Sequence, residues 1–129
     1  MLTKGLRDEE NERINNVLKQ LISLTYIPED WNLADLDSQL KYLALTFEDV
    51  LKFSSEETIQ HLEKLHFDWA NSESFADFLI QVSNNYQEEK AQLKVKAVAV
   101  YEYVQNGSKT FSYGIFNKIS SAKAYYNEK

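Results

Sequence analysis

The chain has 129 residues, of which 43% are hydrophobic and 26% charged, a balance typical of a globular domain and not of a disordered segment. It has no cysteine, which excludes disulfide bonds and thiolate metal ligands, and no apolar run approaching the roughly 20 residues that span a bilayer. Its formal charge of −6 disfavours nucleic acid and anionic membranes as partners of the whole chain. We therefore expect one domain over residues 1–129, located in the cytoplasm and making no membrane contact.

The first half of the chain is predicted to form three helices. A first helix is expected over residues 7–26, because apolar residues recur there every three or four positions and Pro28 disfavours its continuation. The same spacing predicts a second helix over 34–53. The sequence Ser-Ser-Glu-Glu at 54–57 has the form of a capping box and begins a third helix, which extends to residue 67.

The second half is dominated by one long helical pattern. It covers residues 72–105, with Asn71, Ser72 and Ser74 as candidate caps and a weak helical pair at 84–85 that can mark a kink or break. Asn106-Gly107 resembles a left-handed helix end, after which Ser108 begins a last helix. With only three glycines and one proline, the chain is predicted to be all-α, a single-domain antiparallel bundle of four to five helices.

Residues 95–116 also permit a different structure. The segment 95–104 is rich in β-branched and aromatic residues, and Asn106-Gly107 is a strong signal for a hairpin turn. A half-buried strand would separate apolar from polar side chains, whereas both faces are mixed here. The helical interpretation is favoured, and an α+β fold with a hairpin around Asn106-Gly107 is the alternative.

Charge is divided unevenly along the chain. Residues 1–89 contain 18 acidic and 7 basic residues, whereas residues 90–129 contain 7 lysines, 2 glutamates and seven of the seventeen aromatic residues. This division predicts that basic C-terminal helices pack beside acidic N-terminal ones, within one molecule or between copies. Nucleic-acid binding through the basic aromatic C-terminal segment is an alternative, since lysines interleaved with aromatic residues can contact phosphates and stack on bases.

Motifs for catalysis are scarce. The sequence has no nucleophile elbow and no glycine-rich phosphate loop. Glu63 and His66 form the Glu-x-x-His motif that di-iron bundles need twice, but His61, the only other histidine, has Thr58 in place of the second glutamate. We therefore assign no catalytic residue, no metal ligand and no cofactor, and expect no enzyme. A small helical metal-binding protein or enzyme centred on Glu63 and His66 is the alternative.

The favoured function is a non-enzymatic protein-binding or regulatory module, such as an adaptor, an antitoxin or an immunity-like protein. It would present an acidic helical surface to a basic protein, or would self-associate. Both tryptophans adjoin acidic residues, and tryptophan is enriched where interfaces concentrate their energy. The residues expected to contact a partner are Glu29, Asp30, Trp31, Glu56, Glu57, Asp68 and Trp69.

Overall fold

The structure is a computed structural model that describes residues 6–27, 31–86 and 89–127, with side chains for 8–27, 31–86 and 89–124. These residues form seven α-helices and one 3₁₀ turn. In chain order they are α1 (Leu6–Leu24), α2 (Leu33–Leu40), the 3₁₀ turn (Lys41–Leu43), α3 (Phe47–Lys52), α4 (Ser55–Lys64), α5 (Trp69–Ser83), α6 (Lys90–Ser108) and α7 (Tyr113–Asn127).

Helices α5 and α6 form the centre of the fold. They pack against each other along their lengths, α1 packs on α5, and both α4 and α7 pack on α6. The buried side chains between the central pair are apolar on both helices: Phe75, Phe78, Leu79 and Val82 on α5, and Leu93, Ala97, Val100 and Val104 on α6. Burial of this apolar surface is the main force that holds the helices together.

The all-α class is confirmed, and the described residues contain no strand, which excludes a hairpin within 95–116. Helix α6 covers most of that segment. It is surrounded by other helices, since α4, α5 and α7 all contact it. Val98 and Val100, which lie about 200° apart around the helix, are therefore both buried. The mixed pattern that disfavoured a strand comes from this all-round burial. The predicted four to five helices are not confirmed, since the described residues form seven.

The prediction of one continuous helix over 34–53 is wrong, because the chain leaves the helical conformation after the 3₁₀ turn. Ala44 adopts a left-handed conformation with φ 57°, and the amide of Leu45 donates to the carbonyl of Leu40 at 3.1 Å. Thr46 then caps α3, accepting from the Asp49 amide while the Asp49 carboxylate accepts from the Thr46 amide. The apolar spacing runs through this break, since Phe47 and Val50 remain buried. Spacing alone therefore conceals the interruption.

The single helix predicted over 72–105 is also wrong. Helix α5 begins earlier, because Asp68 is its cap and accepts from the Asn71 amide at 2.8 Å. The predicted caps Asn71, Ser72 and Ser74 instead lie within the helix, and the first two are buried. The break falls at the predicted weak pair 84–85: α5 ends at Ser83, and α6 begins at Lys90.

The end of α6 differs from the prediction as well. The helix continues through Gly107 to Ser108, and Lys109, with φ 58°, takes the left-handed conformation expected of the glycine. The last helix begins at Tyr113, after Ser112, whose hydroxyl accepts from the Ile115 amide at 3.2 Å. Gly107 therefore has a role other than ending the helix.

Other local predictions are confirmed. The first helix ends at Leu24, before Pro28, and Ser54 caps α4 in a complete capping box with Glu57. In the part of the chain that the structure describes, no helix combines the length and apolarity needed to cross a membrane.

The expected pairing of basic C-terminal helices with acidic ones occurs within the molecule. Lys118 Nζ on α7 lies 2.7 Å from Glu73 Oε2 and 3.0 Å from Asp77 Oδ1, both on α5. The buried Tyr101 of α6 donates its hydroxyl to Asp77 Oδ1 at 2.5 Å. Burial opposes the charged form of Lys118, but its hydrogen bonds to the two carboxylates outweigh this effect and raise its pKa. This cluster joins α5, α6 and α7.

Candidate functional site

Acidic and aromatic side chains converge on a groove where the ends of four helices meet. The first turns of α1, the end of α4, the start of α5 and the last turns of α6 all contribute to it. We call it the acidic-aromatic groove, and its lining residues are Asp8, Asn11, Glu63, His66, Phe67, Asp68, Trp69 and Tyr103.

The turn between α4 and α5 forms the floor of the groove. His66 adopts a left-handed conformation with φ 60°, and its amide donates to the Glu63 carbonyl at 3.0 Å. The next amide, of Phe67, donates to the Leu62 carbonyl at 3.0 Å. This is a Schellman helix end, which reverses the chain within a few residues. It brings the end of α4 and the start of α5 to the same groove.

Two asparagines fix this turn against α1. Asn11 donates to the His66 carbonyl at 3.0 Å and accepts from the Asp68 amide at 2.8 Å. The buried Asn71 donates its side-chain amide to the backbone carbonyl of Asn11 at 2.9 Å and accepts from Asn15 at 3.3 Å. Because the Asn11 side chain binds both the His66 carbonyl and the Asp68 amide, the turn is held in one position against α1.

Trp69 forms one wall of the groove and depends on Gly107 for its position. A Cβ atom at position 107 would overlap Cη2 of the indole and lie 2.9 Å from Cζ2 and Cζ3. The indole also meets the ring of Tyr103 edge to face, with centroids 5.3 Å apart. Trp69 remains 39% exposed, so a molecule in the groove can contact it. Gly107 is therefore required for this close approach.

The electrostatic character of the groove is negative. Three carboxylates line it, those of Asp8, Glu63 and Asp68, and no lysine or arginine among the described side chains does. Burial raises the pKa of the Tyr103 hydroxyl, and the charge of Glu63 raises it further. Asp68 also caps α5, so its carboxylate offsets the positive end of the helix dipole that would otherwise repel a cation.

The sequence-predicted contact residues divide among different places. Asp68 and Trp69 lie together in the groove. Glu56 and Glu57 are at the opposite end of α4, a helix of 10 residues and therefore about 15 Å long. Glu29 and Asp30 lie outside the described residues.

Trp31 has a packing role in the fold. Its indole N–H donates to the Thr25 carbonyl at 3.3 Å, and its ring stacks on Tyr86 and meets Phe47 edge to face. It is therefore half-buried against the core, in contrast to Trp69. Sequence reasoning did not place Asp8, Asn11 and Tyr103 at the site, because they come from helices distant in the sequence.

The histidines do not complete a metal site in the described part of the chain. Glu63 and His66 both line the groove, but no three metal-ligating side chains among the described residues are grouped closely enough to hold an ion. His61 packs edge to face on Phe53, and its Nε2 lies 2.8 Å from the Leu43 carbonyl. Its contacts are those of a packing residue.

Four lysines of the C-terminal segment are engaged within the fold. Lys118 and Lys123 form ion pairs with acidic residues, the latter with Glu102 at 3.4 Å. Lys94 and Lys96 are buried. These four side chains therefore contribute little to an exposed basic surface.

Lys96 lies beside a second groove, between α6 and the junction of α3 with α4. The side chain is only 3% exposed, and its Nζ donates to the carbonyls of Val50 at 2.5 Å and Leu51 at 3.2 Å, near the end of α3. Burial lowers its pKa to about 8, against the opposing charge of Glu57. The lysine thus attaches α6 to the end of α3.

Comparisons with protein-family models, with curated proteins and with solved structures find no match to this chain. In the residues that the structure describes, the fold and the site define an all-helical protein with an acidic-aromatic groove.

Proposed function

We propose that this chain is a non-enzymatic protein-binding module that receives a basic segment of a partner protein in the acidic-aromatic groove. The observation that carries the proposal is the combination of three carboxylates with the partly exposed indole of Trp69, in a groove that no lysine or arginine lines among the side chains that the structure describes. Carboxylates attract a cationic side chain, and an indole face binds it through its quadrupole.

Lysine and arginine side chains suit this groove better than a small inorganic cation does. The described residues offer no cluster of ligands for an ion, whereas Trp69 and Tyr103 offer apolar surface for the stem of a long side chain. Charged residues around such a site increase the association rate and the specificity more than the affinity. The module would therefore bind weakly to one isolated basic residue and more tightly to a segment with several.

We propose that the module acts in the cytoplasm as an adaptor, an antitoxin or an immunity-like protein, each of which binds a partner protein without catalysis. The same reasoning favours binding over catalysis. The groove has acidic side chains but pairs none of them with a nucleophile in the described contacts.

The two tryptophans allow a direct test by nuclear magnetic resonance. Isotope-labelled protein would be titrated with a hexa-arginine peptide while the two indole N–H signals are followed. We expect the signal of Trp69 to shift and that of Trp31 to remain, because the Trp31 indole is bound to the Thr25 carbonyl away from the groove. Binding should weaken as salt is added, and a hexa-glutamate peptide should cause no shift.

Charge-neutralising variants identify the surface that binds. Asp68→Asn together with Glu63→Gln removes two charges, while asparagine preserves the cap of α5. We expect the binding free energy for the peptide to weaken by at least about 1 kcal/mol, which corresponds to about fivefold lower affinity.

Glu56→Gln together with Glu57→Gln is the matched control, because these acids lie at the other end of α4. Glutamine at position 57 can still reach back to the Ser54 amide in the capping box. An equal loss of affinity in this control would mean that binding follows net charge, and the groove proposal would fail. A peptide that shifts both indole signals or neither would also refute it.

A further inference from the structure

Three aromatic side chains form a cluster on the surface where α6 connects to α7. Phe111, Tyr113 and Phe116 are 61%, 76% and 50% exposed. Their rings touch: the centroid of Phe111 lies 4.8 Å from that of Tyr113 and 6.0 Å from that of Phe116. Single exposed aromatics are ordinary, but a contiguous group of this kind is typical of an interaction surface.

The cluster continues into an outer face of α7 that carries no charge. Within residues 113–124, whose side chains the structure describes, the other exposed positions are small or neutral: Gly114, Asn117, Ser120, Ser121 and Ala124. Lys118 and Lys123 flank this face, and both are paired with acidic residues of α5 or α6. The exposed face of α1, by contrast, carries acidic and basic residues along its length. We call the uncharged surface, together with Phe111, the α7 face.

The charge of the chain indicates what can cover the α7 face. A basic partner finds no carboxylate there, and nucleic acid or an anionic membrane is repelled by a chain with a net charge of −6. Two copies of the chain also repel each other except where their contact lacks like charges. The α7 face is such a surface, and its side chains are exposed in the described fold.

Along the side chains of α7 that the structure describes, residues 113–124, the order of sizes on the exposed face matches a second copy of the same helix. The large residues of this stretch lie in its first turn and the small ones follow, so a two-fold axis near its middle places Tyr113 opposite Ala124 and Phe116 close to Ser120 and Ser121 of the partner helix. We propose that the chain forms an antiparallel homodimer through the α7 face. Each aromatic ring then fills the space above a small residue, as helix packing requires.

The expected dimer is weak. Helix α7 has 15 residues, so it is about 22 Å long, and one helix pair of this length buries less than the roughly 1,200 Å² at the lower end of stable interfaces. Its population should therefore rise with protein concentration in the micromolar range. The contact is apolar, so added salt should leave it unchanged or strengthen it. Self-association between the acidic helices and the basic segment would weaken with salt.

Sedimentation velocity over a range of protein and salt concentrations tests the proposal, with variants matched in chemistry. Tyr113→Glu buries a carboxylate without a partner charge at each end of the interface and should abolish the dimer. Tyr42→Glu is the control, because Tyr42 is 70% exposed on the 3₁₀ turn, away from the α7 face. It should leave the dimer intact, and circular dichroism should show both variants folded.

A charge pair tests the antiparallel register. Ala124→Lys alone should weaken the dimer, whereas the double variant Tyr113→Glu with Ala124→Lys should restore it, because each glutamate then meets a lysine of the partner copy. A wild-type protein that stays monomeric at the highest concentration, or a dimer lost equally in Tyr42→Glu, would overturn the proposal. So would a dimer that dissociates with salt, or a monomer that binds zwitterionic vesicles through Tyr113.

Discussion

The buried Lys96 should make the stability of the protein increase with pH in the alkaline range. In the unfolded chain a lysine has its ordinary pKa of 10.5, whereas burial in the fold lowers the pKa of Lys96 to about 8. Between these values the unfolded state binds more protons than the folded state, so the free energy of unfolding rises with pH. At about 1.4 kcal/mol per pKa unit, the gain between neutral pH and about pH 10 is roughly 2 kcal/mol.

The variant Lys96→Met isolates this contribution, because methionine has a similar length and does not titrate. Urea unfolding followed by circular dichroism would give the free energy of unfolding of both proteins at several pH values. The wild type should gain about 2 kcal/mol relative to the variant from neutral pH to about pH 10. At high pH the neutral amine of Lys96 in the wild type still donates to the Val50 and Leu51 carbonyls. In the variant these two carbonyls lack that donor.

The exposed Lys19 of α1 provides the control, since Lys19→Met removes a surface charge without a buried contact. A difference between wild type and Lys96→Met that stays constant with pH would refute the reasoning. It would mean that the hydrogen bonds at the end of α3 stabilise the ammonium group as fully as water does.

Three further variants test the packing argued above. Gly107→Ala should displace the indole of Trp69, giving red-shifted fluorescence and weaker hexa-arginine binding while circular dichroism stays unchanged; an unmoved indole would contradict the contact. Ala44→Gly should raise the free energy of unfolding by up to about 1 kcal/mol in urea titrations, because glycine adopts the left-handed conformation without steric cost, and a loss of stability would argue against that conformation. Tyr101→Phe should lower the free energy of unfolding by about 1 kcal/mol through the lost bond to Asp77. Because burial and that carboxylate raise the Tyr101 pKa, the wild type should also lose stability above about pH 10 more steeply than the variant.

Signals that are local in sequence were the ones that could be predicted. The capping box at Ser54 and the helix end before Pro28 depend on neighbouring residues, and the structure has both. Thr46 to Asp49 is also a capping box, with aspartate in place of glutamate, yet the apolar spacing on either side concealed it. Spacing reports which side chains are buried, and a break that preserves burial leaves the spacing unchanged.

The candidate site was only partly predictable for a physical reason. Asp68 and Trp69 are adjacent, so an acidic residue beside an aromatic one is visible in the sequence. Their companions Asp8, Glu63 and Tyr103 come from three other helices, and the groove exists because the Asn11 and Asn71 side chains, 60 residues apart, hold the turn against α1. Such long-range pairing leaves no pattern in a single sequence.

The uneven charge of the chain has different consequences in its two halves. In the C-terminal segment, Lys118 and Lys123 are paired within the fold and Lys94 and Lys96 are buried, so much of the positive charge is absent from the surface. Most acidic residues of the first half have no such partner among the described ion pairs, and three of them line one groove. The lysines therefore serve to join α6 and α7 to the rest of the fold, while the remaining negative charge is available to a basic partner. A basic partner and a second copy would then occupy different surfaces, the acidic-aromatic groove and the α7 face, so that salt should weaken the first interaction and spare the second.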